Sequence, residues 1–198
     1  MLNAIHRELA SLYRLEESLD VASYVVPRSE VKDAALDRPE QVWVRQHEDA
    51  VELALVMDDA LLKASPHWTL DDYCACVEGV SHLLYLSLVA ERNRQVSQLE
   101  LEVQAEIDKF ALLLFTTTTA ANDLIRRLFQ SFQLRESVTS DEEKLRYDTA
   151  NRLANGYCTF LTQRYVAPAQ TGGLLQELRH VYRMGGTRKL AYVSECRP

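Results

Sequence analysis

Apolar residues recur at three- and four-residue intervals along most of this chain, the pattern of helices that each bury one face. The first such stretch is Leu2–Tyr13. A less regular segment follows through Asp37, broken at Tyr24-Val25-Val26-Pro27, where the proline turns its predecessor out of the α region. Pro39 suits the first turn of a long helix over about 39–64, which ends before Pro66. Thr69, followed by Asp71 and Asp72, opens a helix to about Asn93. Ser97 with Glu100 forms a capping-box pattern for a helix over 97–116, and another helix is expected over 119–135. Ser140 with Glu143 opens one to about 165. Gly172-Gly173 precedes a helix over Leu174–Met184, Gly185-Gly186 ends it, and Thr187–Glu195 forms a last short helix. No strand-like alternation is long enough to oppose this reading.

The pattern predicts an all-α fold: a single-domain helical bundle of about six to eight helices, spanning 1–198. Residues 1–38 form its less regular N-terminal segment, and 185–198 a short C-terminal helix or arm. The helix near 69–93 is apolar on nearly all sides from Tyr73 to Ala90, which marks it as the central buried helix. A composition of 47% apolar and 26% charged residues is that of a globular chain rather than a disordered one. At this length folding buries about 70% of the unfolded surface, so neither a disulfide nor a metal is needed to hold the core.

Some polar groups fall on the wrong faces. On a helical wheel over 39–64, His47 and Asp58 lie within the apolar arc of Trp43, Val44, Val51, Leu55 and Leu62, while Arg45, Glu48 and Glu52 lie opposite. In the 69–93 helix, Glu78 and His82 are four apart on a stripe that continues to Tyr85. Over 97–116, Glu106 lies inside the arc of Val103, Ile107 and Phe110, with Glu102 on its flank, while Glu100, Gln104 and Asp108 point away. Together these give a candidate buried polar cluster of Glu78, His82, Glu106, His47, Asp58 and Tyr85.

An uncompensated buried carboxylate costs several kcal/mol, so such groups must share protons, meet a cation or bind something. Three arrangements satisfy that demand. A structural polar core would pair His82 with Glu78 or Glu106, with Arg146 or Arg164 neutralising a carboxylate. A metal site would use Glu78, His82 and Glu106 around a divalent Fe, Mn or Zn. The four-residue Glu78–His82 spacing departs from the Glu-x-x-His repeat of di-metal bundles, so a single ion is the form expected. A ligand pocket with His82 as proton carrier is the third. No nucleophile elbow, phosphate loop or zinc-protease helix is present to name a reaction.

Cys74, Cys76, Cys158 and Cys196 lack metal-ligand spacing and read as reduced thiols. The net charge of −7 conceals an asymmetry: residues 1–110 carry 10 Lys/Arg against 21 Asp/Glu, the remainder 12 against 8. That favours head-to-tail or self-association over nucleic-acid binding, which needs a strongly basic stripe. The tail from Gln176, with Arg179, Arg183, Arg188, Lys189 and Arg197, reads as a solvated basic face with Tyr182 and Tyr192 packed inward. The first residues contain no apolar run of a signal peptide, and stretches such as Gly79–Ala90 are too short to span a bilayer, so the cytoplasm is the expected compartment. The expected role is protein–protein contact without catalysis, as a homodimer or with another protein. The alternative is a metal-binding or acid–base helical bundle built on the Glu/His cluster.

Overall fold

A computed structural model describes residues 1–15, 19–32, 38–48, 50–63, 68–134 and 138–196. Asp37, Pro66 and Arg197, which bear on the sequence reading, lie outside them. The fold is mostly helical, as periodicity predicts, with eight α-helices and one three-stranded sheet among the described residues. It divides into two compact units, one of Met1–Ala10 and Glu16–Arg94, the other of Ser11–Leu15 and Gln95–Pro198.

The first unit carries the main departure from sequence. Helix α1 (Leu2–Tyr13) forms as expected, and β1 (Val25–Pro27) is the short stretch into the proline. The helix expected over 39–64 is instead a hairpin, β2 (Glu40–Gln46) and β3 (Val51–Met57), followed by a single helical turn, α2 (Asp59–Leu62). Val42, Trp43, Val44, Val51 and Val56 are β-branched or aromatic, which favours a pleated surface. Apolar residues this dense also satisfy a helical wheel, so periodicity alone chose the wrong element. The strands order β1-β3-β2, with β1 parallel to β3 and β2 antiparallel to it. The antiparallel register runs from Glu40↔Met57 to Gln46↔Val51.

Helix α3 (Leu70–Glu91) packs against both β2 and β3. Its start is fixed as predicted: the Thr69 hydroxyl oxygen accepts from the Asp72 N–H at 3.2 Å, and the Asp72 carboxylate accepts from the Thr69 N–H at 2.9 Å. Ten of its residues, from Ala75 to Val89, are buried. Among the described residues it is the helix long and apolar enough to cross a membrane, and 56% of its most apolar window is buried inside the fold. Gly79 sets its spacing to the sheet. A Cβ there would lie 2.8 Å from the Leu55 Cδ1 and 3.4 Å from both the Glu40 carboxylate and the Met57 sulfur.

The sheet face that meets α3 continues past its cover. Glu40, Val42, Val44 and Gln46 share that face with Met57, Leu55, Leu53 and Val51, since side chains alternate and these residues are opposed in the register. Glu40, Leu55 and Met57 are buried, but Val44 is 52% and Val51 42% exposed. On the other face Trp43 is 38% exposed. The bonds Asp58 N–H to Pro39 O and His47 N–H to Ala50 O mark the odd-numbered residues of β2 as those bonded to β3. Alternation then turns the N–H and C=O groups of Val42 and Val44 to the outer edge.

In the second unit α4 (Gln98–Thr116) packs along α6 (Asp141–Leu161), and α8 (Gly186–Glu195) packs on both. Between them lie α5 (Ala121–Ile125) and α7 (Thr171–Arg183). Two π-helical turns, over Arg126–Gln130 and Thr162–Val166, extend α5 and α6. The helix expected over 119–135 therefore ends early, whereas α6 with its extension reaches the predicted end. Both expected capping boxes are incomplete. The Ser97 hydroxyl accepts from the Glu100 N–H at 3.2 Å, but the Glu100 carboxylate is used elsewhere, and Ser140 makes no side-chain cap.

Replacing Gly79 with leucine forces methyl groups into the α3–sheet contact. The expected cost is ~1–3 kcal/mol, outweighing the gain in helix propensity of ~1 kcal/mol. Urea unfolding followed by circular dichroism measures it; a variant as stable as the wild type would show that this contact does not set the spacing.

Candidate functional site

Of the six residues singled out from sequence, two come together as expected. Glu78 and His82 are half-buried, one turn apart on α3, and each offers a ligand atom within 4.8 Å of the other. A carboxylate and an imidazole so placed form a possible metal-binding pair. Tyr85, one turn further on, is fully buried; its hydroxyl accepts from an Arg94 Nη2 at 3.2 Å, and that guanidinium lies 5.6 Å from the ring centroid. Asn93, at φ 51°, takes the left-handed conformation that ends the helix and turns Arg94 back onto it.

His47 and Asp58 lie at other places in the first unit. His47 follows β2 at the hairpin turn, with its side chain 48% exposed and 3.4 Å from the Glu52 carboxylate. Asp58 caps α2 by accepting from the Ala60 N–H at 2.9 Å, and pairs with Arg28 at 3.3 Å. Both were placed in a buried arc on the premise of a 39–64 helix. Once that segment is a hairpin, the premise fails and both residues sit near solvent. Glu106 belongs to the second unit, where Lys109 holds it at 2.8 Å. Arg146, expected to neutralise a carboxylate, lies 3.9 Å from Glu102 and 3.5 Å from Glu143.

The buried polar core is real, but different residues form it. Glu100, Gln104 and Asp108, read from the wheel as pointing to water, are the most deeply buried polar groups of α4, at 0%, 1% and 1% exposure. Tyr13 and the start of α8 cover the face they share. Lys189, expected on a solvated basic face, is fully buried and donates to the Gln104 carbonyl oxygen. The Gln104 amide donates to Asp108 at 2.7 Å and to the Tyr13 hydroxyl oxygen at 3.3 Å, and the Tyr13 hydroxyl in turn donates to the same Asp108 oxygen. Glu100 accepts from the Gly186 N–H at 2.9 Å, the first backbone donor of α8.

These groups determine one another's protonation. Burial, then the neighbouring Asp108 carboxylate, pushes the Tyr13 hydroxyl well above its usual range, so it stays a donor. Tyr182 stacks on Tyr13 with centroids 3.8 Å apart, and the Lys189 ammonium lies 5.8 Å from the Tyr182 ring centre. A smaller relay joins three helices nearby: Glu177 of α7 accepts from Tyr157 of α6 at 3.1 Å and from Tyr192 of α8 at 2.9 Å. The four cysteines are free thiols, as expected. Burial, and then Asp72, pushes Cys76 up to about 12, so it is an unreactive thiol at neutral pH.

The signal for this core was in the sequence as a stripe: Glu100, Gln104 and Asp108 follow one another at four-residue spacing. The chemistry it can do is limited, because its donors and acceptors are spent on one another and it joins four segments of chain. No family model matches this protein, nor does any curated protein or any solved structure.

Lys189→Met removes the cation but leaves Asp108 and Glu100 buried. The expected loss is ~3–5 kcal/mol of unfolding free energy, part of it recovered in the double variant with Asp108→Asn. Denaturant unfolding decides it; a single variant of wild-type stability would show that the lysine charge is not needed there.

Proposed function

We propose that this protein acts without catalysis, through protein–protein contact, and that the contact is made with a second copy of itself along β2. The observation that carries the reading is the outer half of the hairpin. It presents an outward row of backbone donors and acceptors beside exposed Trp43, Val44 and Val51. Edge strands are usually blunted by charge, proline or a bulge. From Trp43 to Gln46 this one carries a single charged side chain, Arg45.

A second copy fits by sequence. Two antiparallel β2 strands related by a two-fold axis at Trp43 set Glu40 opposite Gln46, Gln41 opposite Arg45, Val42 opposite Val44, and Trp43 opposite its own copy. Apolar residues meet apolar ones, and no like charges are opposed. The valine pairs would extend the apolar face that α3 leaves uncovered. The self-satisfied polar core of the second unit supports a non-catalytic role, and four free thiols suit a reducing, cytoplasmic setting.

Sedimentation velocity at micromolar concentration tests this. The wild type should sediment at twice the 22.6 kDa chain mass. Val44→Pro should sediment as a single chain with unchanged circular dichroism, because proline there removes an N–H that faces away from β3. A wild type that stays at the single-chain mass, or a Val44→Pro variant that still dimerises, would exclude pairing through β2.

A second reading rests on Glu78 and His82. Their ligand atoms supply half of a four-coordinate shell, and Fe, Mn or Zn suits a mixed carboxylate–imidazole set. Elemental analysis of protein purified without chelator should then show near-stoichiometric metal that His82→Ala removes. Metal-free wild-type protein would dismiss it.

A further inference from the structure

The second unit holds a cavity of about 430 Å³ whose lining includes Arg14, Arg179, Arg183, His180, Gln176 and Gly172. Among the described residues no carboxylate lines it. Its volume is within the range of small-molecule sites, roughly 300–1,000 Å³. We propose that this cavity binds a small molecule carrying a phosphoryl group, with Arg14, Arg179 and Arg183 holding the phosphate oxygens.

The arginines are pre-arranged. Arg179 donates through Nε to the Leu12 carbonyl at 2.7 Å, and Arg183 through Nη2 to the Tyr13 carbonyl at 2.8 Å and through Nη1 to the Arg179 carbonyl at 3.0 Å. Those carbonyls include the last ones of α1, which a cation at a helix C-terminus satisfies well. The bonds anchor the two guanidiniums while leaving the Nη groups of Arg179 free of these contacts. Arg14 follows directly, at φ 52°, a left-handed conformation that a non-glycine residue adopts at a cost. It brings a third guanidinium to the cavity. Crowding of like charge is evident at Arg179, whose basicity is lowered by burial and then by Arg14 and Arg183.

The acidic residue of this stretch is turned away. Glu177, beside Gln176, is committed to Tyr157 and Tyr192. The cavity thus gathers three permanent positive charges, and none of the described residues that line it is a carboxylate. A phosphate ester brings about two negative charges at neutral pH, and its oxygens match the planar guanidinium fork. At the far end, Gly172 lies in the first turn of α7, where Gln170 gives no side-chain cap and a Cβ would meet nothing within 4 Å. Gly173 is held by close approach, since a Cβ there would fall 2.9 Å from the Tyr165 ring. From Gly172 to Arg183 the helix runs about 16 Å, long enough for a phosphorylated molecule with a second polar group to span.

Isothermal titration with pyrophosphate, AMP, ribose 5-phosphate and adenosine tests the assignment at low ionic strength. The three phosphorylated probes should bind and adenosine should not. Arg14→Ala, which removes one of the three guanidiniums, should weaken pyrophosphate at least about tenfold. Arg188→Ala, an exposed arginine of α8 outside the cavity, should leave it unchanged. No binding by any phosphorylated probe, equal binding of adenosine and AMP, or equal weakening by the two variants would overturn the site.

Discussion

Tyr13, Gln104, Asp108 and Lys189 are drawn together in the second unit because a buried charge must be answered by its own chain. Asp108 is ionisable and almost fully buried, so its carboxylate needs donors, and the Gln104 amide and Tyr13 hydroxyl supply them. Gln104 then has a carbonyl oxygen to satisfy, and Lys189 fills it. Each link follows from the one before. The result ties the end of α1, the middle of α4 and the first turn of α8 into one arrangement, with the Tyr13–Tyr182 stack bringing in α7. Relative to an apolar core such a chain adds little stability, but it penalises every arrangement in which one member is missing.

The same logic separates what could be read in the sequence from what could not. Caps and periodicity located α1, α3, α4, α6, α7 and α8, because local hydrogen bonding and one-sided burial leave marks within a few residues. The hairpin was missed because its strands are short and rich in Val and Leu, which fit a period of two or of 3.6 equally well; only pairing with β1 and cover by α3 decide between them.

The candidate site shows the limit more sharply. Glu78 and His82 were legible as neighbours because one helix carries both. His47 and Asp58 were assigned by a wheel drawn on the wrong element. Glu100, Gln104 and Asp108 were assigned to water by a default that holds for most charged stripes and fails when a distant segment covers the stripe. No local pattern says that Lys189, 85 residues from Gln104, supplies that cover. Reading the stripe as buried requires a donor elsewhere in the chain.

Those long separations set an order of events in the making of the protein. Tyr13 and Asp108 are 95 residues apart, and Gln104 and Lys189 another 85. During synthesis, which adds about 5–20 residues per second, Gln104 emerges several seconds before Lys189. Until α8 leaves the ribosome, Glu100 and Gln104 lack the donors that Gly186 and Lys189 supply. Helix α8 therefore acts as a latch: the polar seam of α4 is satisfied only when that helix has emerged and docked on it.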